Sequence, residues 1–391
     1  ENLKMGSLKM ETRRFEGIGR EVSLLGFGLM RLPLRSDRSE DIDFERAEAM
    51  VDRALEAGVN YFDTAWIYHE GQSEVFAGAA LNRHPREKFN LATKLWVRNL
   101  ESAEEAEREF ARQLEKCRVD YFDFYLLHNL NEESWSVALE HRLCELLLRE
   151  KERGRIRRLG FSLHGSHEHL ERVAKEYDWD FAQIQINYVD WDAMNAKRHY
   201  QVLEERGIPA VVMEPVRGGA LAHLPPRAEE ILKAADPEAS PSSWALRYAA
   251  SLPGVMTVLS GMSSLEQVED NIKTMTGFRP LSEKEREVLE RAAAAYRASG
   301  FLPCTGCRYC MPCPSGVDIP GVFAAYNRYR ASLAENPSMA PILFQMTNSA
   351  LTPSERAHRC SACGQCRPRC PQGIDVPRGV RETADFAAGI P

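Results

Sequence analysis

Residues 44–63 read FERAEAMVDRALEAGVNYFD. A helical pattern from Phe44 to Ala57 is stopped by Gly58, and a short apolar run, Val59 to Phe62, follows and delivers Asp63. The same helix and strand alternation extends outward in both directions. It predicts strands at 23–28, 59–62, 89–93, 121–127, 156–161, 181–186, 208–213 and 255–259. The helices between and after them are predicted at 44–57, 73–82, 102–117, 132–153, 166–177, 192–205, 241–251 and 265–275. Eight strand–helix units over roughly 260 residues are the size of a (β/α)8 TIM barrel. The alternation requires parallel pairing through right-handed crossovers. An open doubly wound sheet would want a third glycine after its first strand, and Gly26-Phe27-Gly28-Leu29-Met30-Arg31 lacks it. Ahead of the series, 11–16 and 21–26 flank Gly17-Ile18-Gly19-Arg20 and predict a hairpin.

The chain has 391 residues, of which 44% are hydrophobic and 27% charged, so a largely disordered chain is excluded. The formal net charge of -7 argues against nucleic acid as a partner. No apolar run approaches the ~20 residues of a membrane span. Residues 1–10 read as an expression remnant. The expected organisation is a barrel over 11–280, a connecting charged helix over 281–300, and a separate domain over 301–391. That last stretch holds nine Arg and no Lys. It also holds eight of the ten cysteines.

Chemistry in such a barrel gathers at the C-terminal ends of the strands. The second strand ends in Asp63-Thr64-Ala65-Trp66-Ile67-Tyr68, the third in Lys94 and the fourth in His128. The fifth ends in Ser162 and the sixth in Gln185 and Asn187. A phenol with its ordinary pKa of ~10 is a poor proton donor near neutrality. An adjacent ammonium stabilises the phenolate, and a carboxylate behind the ammonium offsets the burial of its charge. A neutral imidazole can orient a carbonyl oxygen. Singly, each residue reads as a helix cap or as packing; together they suit protonation of an oxyanion as a carbonyl receives hydride. Trp66, Trp96, Tyr188 and Trp191 are expected at an apolar pocket mouth, or equally in the core.

Gly26-Phe27-Gly28-Leu29-Met30, Phe62-Asp63-Thr64-Ala65-Trp66-Ile67-Tyr68 with Ser73-Glu74, Ala92-Thr93-Lys94 and Leu126-Leu127-His128 resemble signature segments of the aldo-keto reductase family. So do Gly160-Phe161-Ser162, Gln185-Ile186-Asn187-Tyr188 and Asn271. The resemblance implies a catalytic tetrad of Asp63, Tyr68, Lys94 and His128, with Tyr68 as general acid. It implies NADP, or NAD, lying extended across the strand ends. Gly28, Leu29, Met30 and Asp63 would border the cofactor, and Ser162 and Gln185 would hold the carboxamide. Met213, Pro215, Gly218 and Gly219 would run along nicotinamide and pyrophosphate. Ser260, Gly261, Ser263, Gln267 and Asn271 would hold the adenosine end. Met213 stands where many members stack an aromatic ring. No basic residue occupies 261–264 or 267, where many bind a 2'-phosphate; hydroxyls, amides and a helix N-terminus could serve instead.

The cysteines form two runs. Cys304, Cys307, Cys310 and Cys313-Pro314 step by three throughout; Cys360, Cys363, Cys366 and Cys370-Pro371 end with a step of four. The second run is the bacterial ferredoxin pattern, in which the fourth cysteine serves the other cluster. The expected ligand sets of two 4Fe-4S clusters are therefore Cys304, Cys307, Cys310 with Cys370, and Cys360, Cys363, Cys366 with Cys313. Two structural zinc sites are the alternative. The runs share a repeat, Cys313-Pro-Ser-Gly-Val-Asp-Ile-Pro and Cys370-Pro-Gln-Gly-Ile-Asp-Val-Pro. A helical spacer, with helix over 322–333, makes this a mainly α ferredoxin-like iron–sulfur domain. Arg308, Arg359, Arg367 and Arg369 would balance anionic clusters. Cys117 and Cys144 read as packing residues.

The leading functional expectation is an NAD(P)H-dependent oxidoreductase of the cytoplasm that reduces a small aldehyde or ketone. The alternative is an electron-transfer or redox-sensing module that serves a partner protein or a flavin, with the barrel as its nucleotide-binding part. No flavin motif is visible. A nucleotide-sensing regulatory subunit is a third reading.

Overall fold

The computed structural model describes residues 9–389. The chain forms two compact units, one of residues up to Pro215 with Ala245–Leu281, the other of Val216–Trp244 with the chain from Ser282 onward.

The first unit is a closed eight-stranded barrel. Its strands are β1 (Leu25–Gly28), β2 (Tyr61–Asp63), β3 (Asn90–Trp96), β4 (Phe122–Leu130), β5 (Ile156–Leu163), β6 (Phe181–Gln185), β7 (Ala210–Met213) and β8 (Val255–Gly261). All neighbours pair in parallel, and β8 closes the ring between β7 and β1. The predicted hairpin is present as Thr12–Arg13 paired with Val22–Ser23. Ile18 and Val22 from it join the core cluster.

Helices begin where short polar side chains can accept an otherwise orphaned backbone N–H. Asp43 caps Phe44–Glu56, Ser102 caps Ala103–Cys117, Ser166 caps His167–Glu176 and Ser264 caps Leu265–Met275. Two predicted helices are each broken in two. The stretch expected as 132–153 is Glu132–Glu140 and Leu143–Glu152, because Arg142 is left-handed (φ 52°). Asp190–Ala193 and Ala196–Glu205 are separated in the same way at Asn195 (φ 55°). Each left-handed residue ends one helical ladder and starts another.

The barrel interior is filled by Tyr61, Ala92, Phe124, Leu126, Phe181, Val211 and Met256. Alternate strand residues share a face. Two positions beyond Tyr61, Ala92 and Leu126 stand Asp63, Lys94 and His128. The pleat that packs the core therefore carries these three polar groups to the C-terminal end of the same interior face.

The second unit is helical. Pro226–Ala235, a helix outside the predicted series, packs on Glu283–Ala298, and this is why 216–244 groups with the tail. Ile319–Glu335, Ala340–Ser349 and Val376–Ala388 complete it. Asp318 and Asp375 of the sequence repeat each sit at a helix start followed by proline, so the repeat encodes the same loop-to-helix entry twice.

Of the supposed remnant, residues 1–8 lie outside the described part. Met10 is buried and bridges to Thr276. Among the described residues no helix is long and apolar enough to cross a membrane.

Candidate active site and cysteine pockets

Lys94 is fully buried at the end of β3. Its ammonium donates to Asp63 Oδ1 (2.5 Å), to the Thr64 carbonyl (2.7 Å) and to the Tyr68 hydroxyl oxygen (3.3 Å). Three donors on one ammonium are thus all used. Because the Tyr68 oxygen accepts from Lys94, the phenolic hydrogen is left to point elsewhere. The Tyr68 ring meets the His128 ring edge to face, with centroids 5.9 Å apart, and Trp96 packs on the same imidazole at 5.2 Å. The structure therefore brings together all four members of the expected tetrad.

Burial governs the charges. It pushes the Asp63 carboxyl above the ordinary carboxylate range, opposed by Lys94, and pulls Lys94 below the ordinary lysine range, opposed by Asp63. It holds His128 far below the usual histidine value, with help from the Lys94 and His164 charges, so that ring is neutral at pH 7.

Tyr68 is held by a constrained turn. His69 and Glu70 are both left-handed (φ 52° each). His69 Nδ1 donates to the Ser39 carbonyl (2.7 Å) and Nε2 accepts from the Leu32 N–H (3.3 Å), which fixes one neutral tautomer. Ser73 links the turn to β1, bonding the Thr64 hydroxyl (2.7 Å) and the Leu29 carbonyl (2.9 Å).

The expected cofactor residues fall into local groups. Ser162 Oγ accepts from the Asn129 N–H (2.8 Å) and keeps its own hydrogen to donate. Gln185 and Asn187 both donate to Asp190, a carboxylate that the sequence reading did not single out (2.7 and 2.6 Å). Met213 accepts a weak contact from Gln183 (3.7 Å). Asn271 donates to Ser260 Oγ (2.9 Å), and Gln267 accepts from the Ser263 N–H (2.7 Å). Gly261 pairs with Gly28 across β8 and β1. The structure adds Arg31. Its carbonyl accepts from Ser263 Oγ (2.6 Å), and its side-chain stem lies against Gly261. Arg31 is distant in sequence from 261–267, so only strand closure reveals it. Trp191, expected at the pocket mouth, packs with Tyr200 and Tyr248 (6.0 and 5.9 Å), and Tyr188 also meets Tyr248 (6.2 Å).

In the second unit the eight tail cysteines line two pockets, with one cysteine shared. Cys304, Cys307, Cys310 and Cys370 line one pocket with Ile319, Phe323 and Ile374. Cys313, Cys360, Cys363 and Cys366 line the other, and Cys310 borders both. Burial, then the Cys307, Cys304 and Cys370 charges, pushes the Cys310 thiol up to about 12. The Cys366 thiol is raised by burial and by the charges of Cys360, Cys313 and Cys363. The two runs match in detail. Gly306 N–H donates to Cys304 Sγ and Ala362 N–H to Cys360 Sγ, both at 3.4 Å. Arg308 pairs with Asp318 (3.2 Å) and Arg367 with Asp375 (2.6 Å), so these two arginines bind the repeat's own carboxylates. Gly218 faces the Thr305 backbone within this unit; a Cβ there would meet its carbonyl oxygen at 2.2 Å, so only glycine fits. Cys117 and Cys144 are buried on helices.

The Aldo/keto reductase family model matches residues 24–294. The chain belongs to the aldo/keto reductase family. A 4Fe-4S dicluster domain follows over 303–375. The uncharacterized oxidoreductase YqkF of Bacillus subtilis is 25% identical over 72% of this chain and 96% of its own length. The NADH-specific methylglyoxal reductase of Escherichia coli is 25% identical over 65% and 91%. Among solved structures, the holo form of the aldo-keto reductase AKR11C1 from Bacillus halodurans is 27% identical. It superposes with a TM-score of 0.60, covering 72% of this chain and 96% of that one. The protein is thus an NAD(P)-dependent oxidoreductase of this family, built as a (β/α)8 barrel with an iron–sulfur domain.

His164, beyond the end of β5, has its pKa drawn from 6.5 to about 4 by burial and then by His199. The unfolded chain protonates this ring below pH 6.5 while the folded chain refuses the proton, so stability falls as pH drops through that window. The melting temperature of wild type is expected to fall between pH 6.5 and 4, and less steeply in His164→Gln. Equal slopes would contradict the burial argument.

Proposed function

We propose that the barrel reduces a small aldehyde or ketone to an alcohol with NADPH or NADH, Tyr68 giving the proton. The observation that carries this is the contact of the buried Lys94 ammonium with Tyr68 on one side and Asp63 on the other.

The residues fit a nicotinamide cofactor. Asp63 Oδ2 is buried with no partner among the described residues and so keeps an acceptor for a ligand hydroxyl. Ser162 keeps a donor for an amide oxygen. Ser162 and Gln185 would hold the carboxamide, with Met213 against the ring. Gly28, Leu29, Met30 and Pro215 would border the ribose and phosphates. Ser260, Gly261, Ser263, Gln267 and Asn271 would take the adenosine end. Arg31 supplies the cation that residues 261–267 lack, which favours NADP. When bound, the reduced nicotinamide supplies a hydride to the carbonyl carbon.

Neutral His128 donates a hydrogen bond that fixes the carbonyl oxygen beside Tyr68. As negative charge builds on that oxygen, Tyr68 Oη releases its proton to it, and one alcohol forms. Lys94 stabilises the phenolate left behind, and Asp63 keeps Lys94 charged although it is buried. Tyr68 then regains a proton from solvent.

The tail fits two 4Fe-4S clusters. Four of its cysteines line one pocket and five the other, Cys310 being shared, with amide N–H groups on Cys304 and Cys360 of the kind that tune clusters. Cys310 borders both pockets, which favours electron passage between the clusters and a redox partner protein. Such thiolates suit the reducing cytoplasm.

Tyr68→Phe should lower kcat/KM for carbonyl reduction by about 10²–10⁴-fold while NADPH still quenches tryptophan fluorescence with unchanged affinity. Unchanged turnover would reject the role of Tyr68. Each fourth cysteine should serve the opposite run. Cys370→Ser should remove the cluster of Cys304, Cys307 and Cys310, and Cys313→Ser that of Cys360, Cys363 and Cys366, read as iron content and the electron paramagnetic resonance of the reduced protein. The reverse assignment would overturn the pairing.

A further inference from the structure

A second buried carboxylate lies behind the tetrad. Glu74, on the helix Gln72–Leu81, has no solvent exposure. Its Oε1 accepts from the Thr93 hydroxyl (2.6 Å) and from the Gln113 amide (2.6 Å). Its Oε2 accepts from Lys116 (3.4 Å). Every partner donates to it: burial pushes the carboxyl above the ordinary carboxylate range, and the Thr93, Lys116 and Gln113 contacts oppose this by favouring the ionised form.

Both of the buried donors lead to Lys94. Thr93 is its chain neighbour. Gln113 also donates to the Lys94 carbonyl (3.0 Å) and is itself held by the Tyr125 hydroxyl (2.5 Å). The approach of the two helices is set by Gly78, where a Cβ would stand 2.3 Å from the Lys116 carbonyl oxygen. Replacing that glycine would push away the helix that carries Gln113 and Lys116.

We propose that Glu74 is a positioning residue for proton transfer: through Thr93 and Gln113 it fixes the main chain that carries Lys94, and it places a second buried negative charge behind the ammonium. This rests on the proposed role of Tyr68 and Lys94. The charge sensed by the proton-transfer couple is then that of two carboxylates, Asp63 in contact and Glu74 behind, partly neutralised by Lys116.

The titratable surroundings of Glu74 are few. The helix Ala103–Cys117 brings Lys116, Glu109 and Cys117; Lys116 also bonds Glu109 (3.6 Å). Strand β3 brings Lys94 and β4 brings Tyr125. Glu150, from the helix Leu143–Glu152, reaches Tyr125 and is paired with Arg153 and Arg155. On the other side, Phe44 packs on Phe76. The charged Glu48 and Asp52 of that helix pair with Arg83 beyond the end of 72–81.

The signs of two substitutions oppose each other. Glu74→Gln keeps the shape and removes a negative charge, so the couple loses its proton more readily. The alkaline limb of kcat/KM for carbonyl reduction should move to lower pH by up to about one unit. Lys116→Gln removes the compensating positive charge and should move the limb to higher pH, while Glu74→Asp should restore it toward wild type. Misfolding cannot produce opposite shifts. The same shifts should appear in alkaline tyrosinate difference spectra of Tyr68, recorded for each variant against its Tyr68→Phe counterpart. Limbs that stay at the wild-type pH in both Glu74→Gln and Lys116→Gln, or that move together, would overturn the proposal. If Tyr68→Phe leaves turnover intact, the assigned function fails; opposite spectral shifts would still support the electrostatic role of Glu74.

Discussion

Lys94 is the constraint around which the barrel site is arranged. An ammonium with no access to water costs several kcal/mol to bury unless charges and dipoles replace its hydration. Asp63, the Thr64 carbonyl and the Tyr68 oxygen do so directly. Removing one partner from such a buried pair typically costs ~3–5 kcal/mol, because the other charge is left uncompensated. The fold accepts this arrangement because the barrel itself holds the partners. Asp63 and Lys94 come from adjacent strands in fixed register, Tyr61 opposite Asn90 and Asp63 opposite Ala92. Only Tyr68 lies on a loop, and that loop is fastened by His69 and Ser73.

The iron–sulfur unit is held together by other means. Its core, Val317, Ile319, Val322, Phe323, Ala357, Ile374, Val376 and Val380, surrounds the cysteines. The repeated Asp-x-Pro entry, the Arg–Asp pairs and the backbone N–H hydrogen bonds to sulfur recur in both halves. One short peptide design, used twice, builds two pockets. A nicotinamide moves two electrons as hydride, whereas a cluster moves one at a time. On the proposed function the two units would carry complementary redox capacities on one chain.

Much of this was legible in the sequence because it is periodic. Strand and helix alternation gave the barrel, and the pleat placed Asp63, Lys94 and His128 on one face. The cysteine steps match the way the cysteines gather around the two pockets. What stayed hidden depends on long-range closure or on single dihedral angles. Arg31 meets Gly261 and Ser263 only because β8 closes onto β1. Asp190 is found beside Gln185 and Asn187 only after the chain turns back. The breaks at Arg142 and Asn195 are left-handed residues within otherwise helical patterns, with no proline or glycine to mark them. Glu74 stood in a quoted motif, but its burial and its link to Lys94 through Gln113 are properties of helix packing.

The most direct measurement is the protonation state of Lys94, followed by nitrogen NMR of lysine-labelled, anaerobically prepared protein, with Lys94→Met to assign the signal. The account predicts an ammonium at neutral pH that loses its proton below the ordinary lysine value of about 10.4. A neutral amine at pH 7, or an ammonium that titrates like an exposed lysine, would contradict it.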